Sequence, residues 1–134
     1  MATILVVDDE PAIRRLIGLV LQEGGFRVLT AEDGLDALRV AESHRGEIDL
    51  LVSDVRMPGM DGPTLAKKLL AADPDLPVLF ISGCWEEGPL RGDKHFPVLS
   101  KPFPLALLLS TVRGVVRSPS AIPPEEPVTV SGLR

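Results

Sequence analysis

A doubly wound α/β fold, with five parallel strands and helices on both faces, is the architecture the sequence predicts. Three observations predict it. Short apolar runs alternate with amphipathic segments along residues 3 to 117, the pattern of right-handed βαβ units and hence of a parallel sheet. The runs Leu50–Ser53 and Pro77–Ser82 carry little polar alternation, as in strands buried on both faces. Reactive polar residues stand directly after several of the runs: Asp8-Asp9, Asp54, Ser82 and Lys101.

In chain order, Thr3 to Val7 is a β-branched strand that ends at Asp8-Asp9-Glu10-Pro11. Ile13, Leu16, Ile17, Val20 and Leu21 then fall at helical spacing. Pro11 suits the first turn and Asp9 the N-cap, and Gly24-Gly25 stops the helix. Phe26 to Thr30 forms the second strand, and Asp33-Gly34 opens a second helix through Leu35, Leu38 and Ala41. The third strand runs into Asp54, after which Pro58-Gly59 forces a turn. Asp61 caps a helix that starts near Pro63, carries Leu65, Leu69 and Leu70, and ends at Asp73-Pro74. Pro77–Ser82 and Phe96–Ser100 are the fourth and fifth strands. On the final helix Leu105, Leu108, Leu109, Val112 and Val116 share the sheet-facing side, and Leu107 points away. Residues 1–117 thus make one domain. Pro119, Pro123, Pro124 and Pro127 punctuate residues 118–134, which read as a flexible tail.

Composition narrows the function. A formal charge of −5 argues against a general nucleic-acid binder. The single Cys excludes an internal disulfide and a Cys-based zinc cluster. Cys84 reads as a packing residue, and His44 and His95 as surface residues without a ligand role. Met1-Ala2-Thr3 has no basic signal region, and no apolar run approaches a membrane span. A cytoplasmic protein without membrane contact is the expectation.

In an open parallel sheet ligands bind at the C-terminal strand ends. If the strand order is 2-1-3-4-5, strands one and three are neighbours, and Asp8, Asp9 and Asp54 meet in one crevice with Ser82 and Lys101 at its rim. Close carboxylates repel unless one protonates or a cation joins them. An all-oxygen donor set with few carboxylates suits Mg²⁺ completed by a phosphate oxygen. A divalent cation, a lysine and a nucleophilic carboxylate together can form an aspartyl phosphate.

These residues, Asp8-Asp9, Asp54 with Met57-Pro58-Gly59-Met60-Asp61-Gly62, Ser82-Gly83 and Lys101-Pro102-Phe103, resemble a response-regulator receiver domain of two-component signalling over residues 3 to 117. The resemblance implies the flavodoxin-like, CheY-like sheet order 2-1-3-4-5. It implies that Asp54 accepts a phosphoryl group from a histidine kinase or phosphotransfer domain. It implies Mg²⁺ held by Asp9 and Asp54 directly, by Asp8 through water and by the backbone carbonyl of Arg56. Lys101 would pair with the phosphoryl oxygens, Ser82 would be the switch hydroxyl, and Lys101–Pro102 would be cis. A downstream protein partner is implied but not identified, and a weak homodimer is admitted.

Two features depart from that family. Many receivers carry an aromatic residue three before the strand-five lysine, where this chain has Val98; Phe96 lies two residues too early to take its role. Gly83, Gly88, Pro89, Gly92 and Pro97 crowd the segment between Ser82 and Lys101, so the fourth helix should be short, displaced or missing. Phosphorylation is then expected to act by drawing Ser82 inward and reordering residues 83 to 95, with Trp85 either an interface anchor or a plug.

The leading reading is a phosphoaccepting signalling module that is not an enzyme, with no fused effector. A receiver-like interaction module whose output needs no phosphorylation is the alternative. An aspartyl phosphatase would want a second Asp two residues after Asp54, where Arg56 stands.

Overall fold

The computed structural model describes residues 1–83 and 96–118. Five strands, β1 (Thr3–Val7), β2 (Arg27–Ala31), β3 (Leu50–Asp54), β4 (Val78–Ser82) and β5 (Val98–Ser100), form one parallel sheet in the order β2-β1-β3-β4-β5. Four helices are described: α1 (Pro11–Glu23), α2 (Gly34–Ser43), α3 (Gly62–Ala72) and α4 (Leu105–Val115). In the segment between strands four and five, where the fourth helix is expected to be short, displaced or missing, residues 84–95 lie outside the described residues, and with them Cys84, Trp85 and His95. So do residues 119–134.

Every residue of β1, β3 and β4 is buried, because alternate side chains point to opposite faces and both faces are covered. Ile4, Val6, Leu50, Val52, Leu79 and Ile81 pack with Ile17 and Leu21 of α1 and Leu108 and Val112 of α4. Leu5, Val7, Leu51, Val78 and Phe80 pack with Ala37 of α2 and Leu65, Ala66 and Leu69 of α3. The edge strands β2 and β5 are only partly buried.

Several boundaries differ from the sequence reading. β2 starts at Arg27, one residue late, because the Phe26 N–H is spent on Leu21 O beyond the α1 C-terminus. β5 begins at Val98 rather than Phe96: Pro97 has no N–H to give a ladder, although its carbonyl accepts from Phe80. Phe96 packs edge-on against Phe80, with ring centroids 5.9 Å apart. Leu16, Leu35 and Leu105, which the helical spacing assigns to buried faces, are exposed; Leu35 and Leu105 stand in first helical turns, beyond the sheet's cover. Leu107 is exposed as expected, and Val116 is the C-cap of α4 rather than part of it. His44 is half-buried as the C-cap of α2, its ring 3.0 Å from Val40 O.

Helix starts follow their caps. Asp33 and Asp61 accept from Asp36 N and Thr64 N, each at 2.8 Å, and each such cap contributes about 1 kcal/mol. For α1 the N-cap is Glu10, not Asp9, because buried Asp8 takes over the local turn by accepting Glu10 N–H at 2.9 Å. Gly24 ends that helix, and Gly25 follows at φ +96°.

Two contacts fix the ends of the sheet. After β3 the chain turns through Gly59, at φ +79°, and returns so closely that a Cβ on Gly62 would stand 2.2 Å from Asp54 O; Gly62 N also donates to Val55 O at 2.8 Å. At the opposite pole Arg117 ties the chain beyond α4 to Ile48 O (2.7 Å) and to both Asp73 oxygens (3.2 and 2.5 Å). Asp49, buried beside this guanidinium, accepts Thr3 N–H at 2.9 Å. Hydrogen bonding to Arg117 holds Asp73 below the usual carboxylate range, against a smaller opposing effect of burial, and raises Arg117 in turn.

Gly62→Ala should lower the unfolding free energy by about 1–3 kcal/mol, since backbone must move; urea denaturation measures it. Arg117→Ala should cost about 1 kcal/mol at neutral pH, a modest figure because Asp73 is partly exposed. Asp73 is depressed on folding, so its contribution is complete above about pH 4 and fades as pH falls through its folded pKa. The gap between wild type and Arg117→Ala should therefore narrow in acid, and parallel denaturation curves across pH check this.

Candidate functional site

The C-terminal ends of β1, β3 and β5 bring three carboxylates and one ammonium together. Asp8 follows β1, where its backbone N–H donates to Ala31 O (3.3 Å), and it is fully buried. Asp54 is the last residue of β3 and is 7% exposed. Ser53 Oγ donates to the Asp54 carbonyl at 2.8 Å, and Gly62 packs on that carbonyl, so the Asp54 backbone is held from two sides. Lys101 follows β5, with its N–H on Ser82 O at 2.9 Å. The Lys101–Pro102 peptide is cis, as the resemblance implied.

Lys101 Nζ lies 3.1 Å from Asp54 Oδ2, 3.2 Å from Glu10 Oε1 and 3.3 Å from Asp8 Oδ2. One oxygen from each of Asp8, Glu10 and Asp54 falls within 4.8 Å of the others, a spacing that could hold a metal ion. Asp8 Oδ1 is committed to the Glu10 N–H. Asp8 Oδ2 is buried and accepts no hydrogen bond among the described residues, because its contact with Lys101 is an ion pair without hydrogen-bond alignment. A buried carboxylate oxygen left in this way is costly. A hard cation would satisfy it, so the donor set fits Mg²⁺.

Burial raises the Asp54 pKa, and the Asp8 charge adds to the rise; hydrogen bonding and charge from Lys101, with the Arg56 N–H, only partly offset it. Lys101 is pulled down by burial but raised overall by Asp54, Asp8 and Glu10 together, so it is an ammonium at neutral pH. The two partners move the same way because burial outweighs Lys101 at Asp54, whereas at Lys101 the three carboxylates together outweigh burial. Asp54 is thus a comparatively basic oxygen beside a fixed positive charge.

Of the residues singled out from sequence, Asp8, Asp54 and Lys101 are in mutual contact. Ser82 is buried at the end of β4, one residue past the Asp54–Ile81 register pair. Arg56 lies two residues beyond Asp54, its side chain exposed. Asp9 is exposed and does not join the three grouped carboxylates. Glu10 joins instead. The adjacency of three acidic residues in the sequence does not reveal which of them faces inward.

Beside Lys101 an apolar groove of about 350 Å³ runs between α1 and the start of α4, lined by Ile13, Leu16, Ile17, Pro102, Phe103 and Leu105. It explains why Leu16 and Leu105 are exposed although they lie on the apolar sides of their helices.

Residues 4–113 match the family model of the response regulator receiver domain. Over 115 residues the chain is 44% identical to the sensor kinase CckA of Brucella abortus, covering 84% of this chain and 12% of that protein. It is 41% identical over 81 residues to the transcriptional regulatory protein GlrR of Escherichia coli, covering 60% of this chain and 18% of that one. The chain therefore spans less than a fifth of the length of these relatives. Among solved structures, the receiver domain of the hybrid histidine kinase CckA superposes with a TM-score of 0.73 at 42% identity, covering 84% of this chain and 97% of that one. The response regulator TrrA of Thermotoga maritima, solved in complex with Mg²⁺-BeF, gives 0.73 at 33% identity over 85% and 98% of the two chains. The sequence match over most of the chain, the sheet order and the acidic pocket agree: the chain belongs to the response regulator receiver domain family.

Proposed function

We propose that the chain is a phosphoacceptor in a two-component relay, with Asp54 receiving the phosphoryl group from a phosphohistidine on a histidine kinase or phosphotransfer domain. The observation that carries this reading is the contact of Lys101 Nζ with Asp54 Oδ2 at 3.1 Å beside an Asp8 oxygen that accepts no hydrogen bond among the described residues. Asp54 supplies the attacking oxygen. Its O–P bond forms as the N–P bond breaks, and the electron pair leaves with the histidine nitrogen. Lys101, fixed through its backbone on Ser82 O, neutralises the phosphoryl oxygens. Ser82, next to the acceptor strand, is the hydroxyl that senses them.

Mg²⁺ would be held by Asp8 and Asp54, with Asp9 and the Arg56 carbonyl as the further donors the family resemblance suggests, and when bound it supplies charge neutralisation to the phosphoryl oxygens. The apolar groove beside Lys101 suits the helix that carries the phosphohistidine, because that donor must bring its phosphorus against Asp54 and cover the same rim. The chain acts as a phosphoacceptor rather than a turnover enzyme; water attack at phosphorus returns the electron pair to Asp54 as carboxylate. No described helix is long and apolar enough to cross a membrane, and a relay of this kind operates in the cytoplasm.

Incubation with acetyl phosphate and Mg²⁺, read by intact mass, should add one hydroxylamine-labile phosphoryl group, and Asp54→Asn should add none. No adduct on the wild-type chain would favour a phosphorylation-independent interaction module.

A further inference from the structure

Glu10 is the third carboxylate on Lys101. Its side chain is 61% exposed, against 1% for Asp8 and 9% for Asp54. It stands at the N-cap of α1 but makes no side-chain capping bond, since Asp8 Oδ1 already serves that turn. The carboxylate reaches instead from the β1–α1 turn to the β5–α4 turn, across 91 residues of sequence, and accepts from Lys101 Nζ at 3.2 Å. An ammonium has three donors, and three carboxylate oxygens surround this one.

The geometry points to Glu10 as a positioning residue that holds Lys101 over Asp54 before phosphorylation and yields it when an anion arrives. This rests on the reading of Asp54 as phosphoacceptor. An anionic group on Asp54 needs a donor from Lys101, whose hydrogen bonds go to Asp54 Oδ2 and Glu10 Oε1 while Asp8 Oδ2 stands 3.3 Å from the same ammonium. Asp8 and Asp54 are fixed by buried strand ends. Glu10 is on an exposed, rotatable stem and can return to water at little cost. Its charge also acts in two opposite senses. It deepens the negative field that draws a divalent cation, and it repels an incoming anion while competing with it for Lys101. Loss of the charge therefore weakens one ligand and strengthens the other, a split that a purely structural role does not produce.

The test uses the full chain and two probes by isothermal titration: MgCl₂ alone, then beryllofluoride, a phosphoryl analogue, at saturating Mg²⁺. In Glu10→Gln the Kd for Mg²⁺ should rise, and the Kd for beryllofluoride should fall, each by about two- to fivefold, the span of an exposed ion pair. Glu10→Ala, which removes charge and stem together, should reproduce the split. If the wild type binds both probes and the two variants leave both constants unchanged, or move them in the same direction, Glu10 has no such role. If the wild type with saturating Mg²⁺ does not bind beryllofluoride, the phosphoacceptor reading falls, and this inference falls with it.

Discussion

A single ammonium placed among three carboxylates governs the active end of this molecule. Two like charges about 4 Å apart repel by about 4 kcal/mol at an effective dielectric near 20, and here three carboxylate oxygens lie within 4.8 Å of one another. Lys101 offsets that repulsion without satisfying every oxygen, because Asp8 Oδ2 accepts no hydrogen bond among the described residues. The pocket is therefore held together and left short of positive charge at once. A cation is attracted to it, and Asp54 stays basic because burial and Asp8 outweigh what Lys101 contributes.

The sheet makes this arrangement rigid. β1 and β3 are neighbours in register, Val7 with Ser53, so the residues that follow them emerge side by side. Both strands are buried on both faces, which leaves no freedom to slide or tilt. The Gly62 approach closes the loop after β3 onto the Asp54 carbonyl, and Arg117 clasps the opposite pole. A carboxylate that must meet phosphorus in line gains from such a frame, since most of the orientation exists before the donor arrives.

Much of this was legible in the sequence, for identifiable reasons. Leu50–Ser53 and Pro77–Ser82 lack polar alternation, and runs this short bounded by turn signals read as strands buried on both faces. Asp33 and Asp61 announced their helices because a short carboxylate before an apolar period has little else to do. Other features were not legible. Phe26 shifted a strand boundary through one particular backbone hydrogen bond, to Leu21 O, which propensity does not encode. Glu10 rather than Asp9 stands with Asp8 and Asp54 around Lys101, because which of three adjacent acids faces inward depends on the turn that Asp8 forms with its own chain. Arg117 looked like the last residue before a proline-rich tail. Its role arises from Ile48, Asp49 and Asp73, distant residues brought under it only by the completed sheet.

The central claim is that Lys101 is the counter-charge on which the pocket depends, and Lys101→Met tests it most directly. Denaturation of wild type and variant at neutral pH, with and without saturating Mg²⁺, gives the four numbers needed. Without Mg²⁺ the variant should be less stable by about 1–3 kcal/mol, because buried carboxylates lose their partner. Mg²⁺ should then stabilise the variant considerably more than it stabilises the wild type. Equal stability of the two proteins without Mg²⁺, or an equal gain from Mg²⁺ in both, would contradict the account.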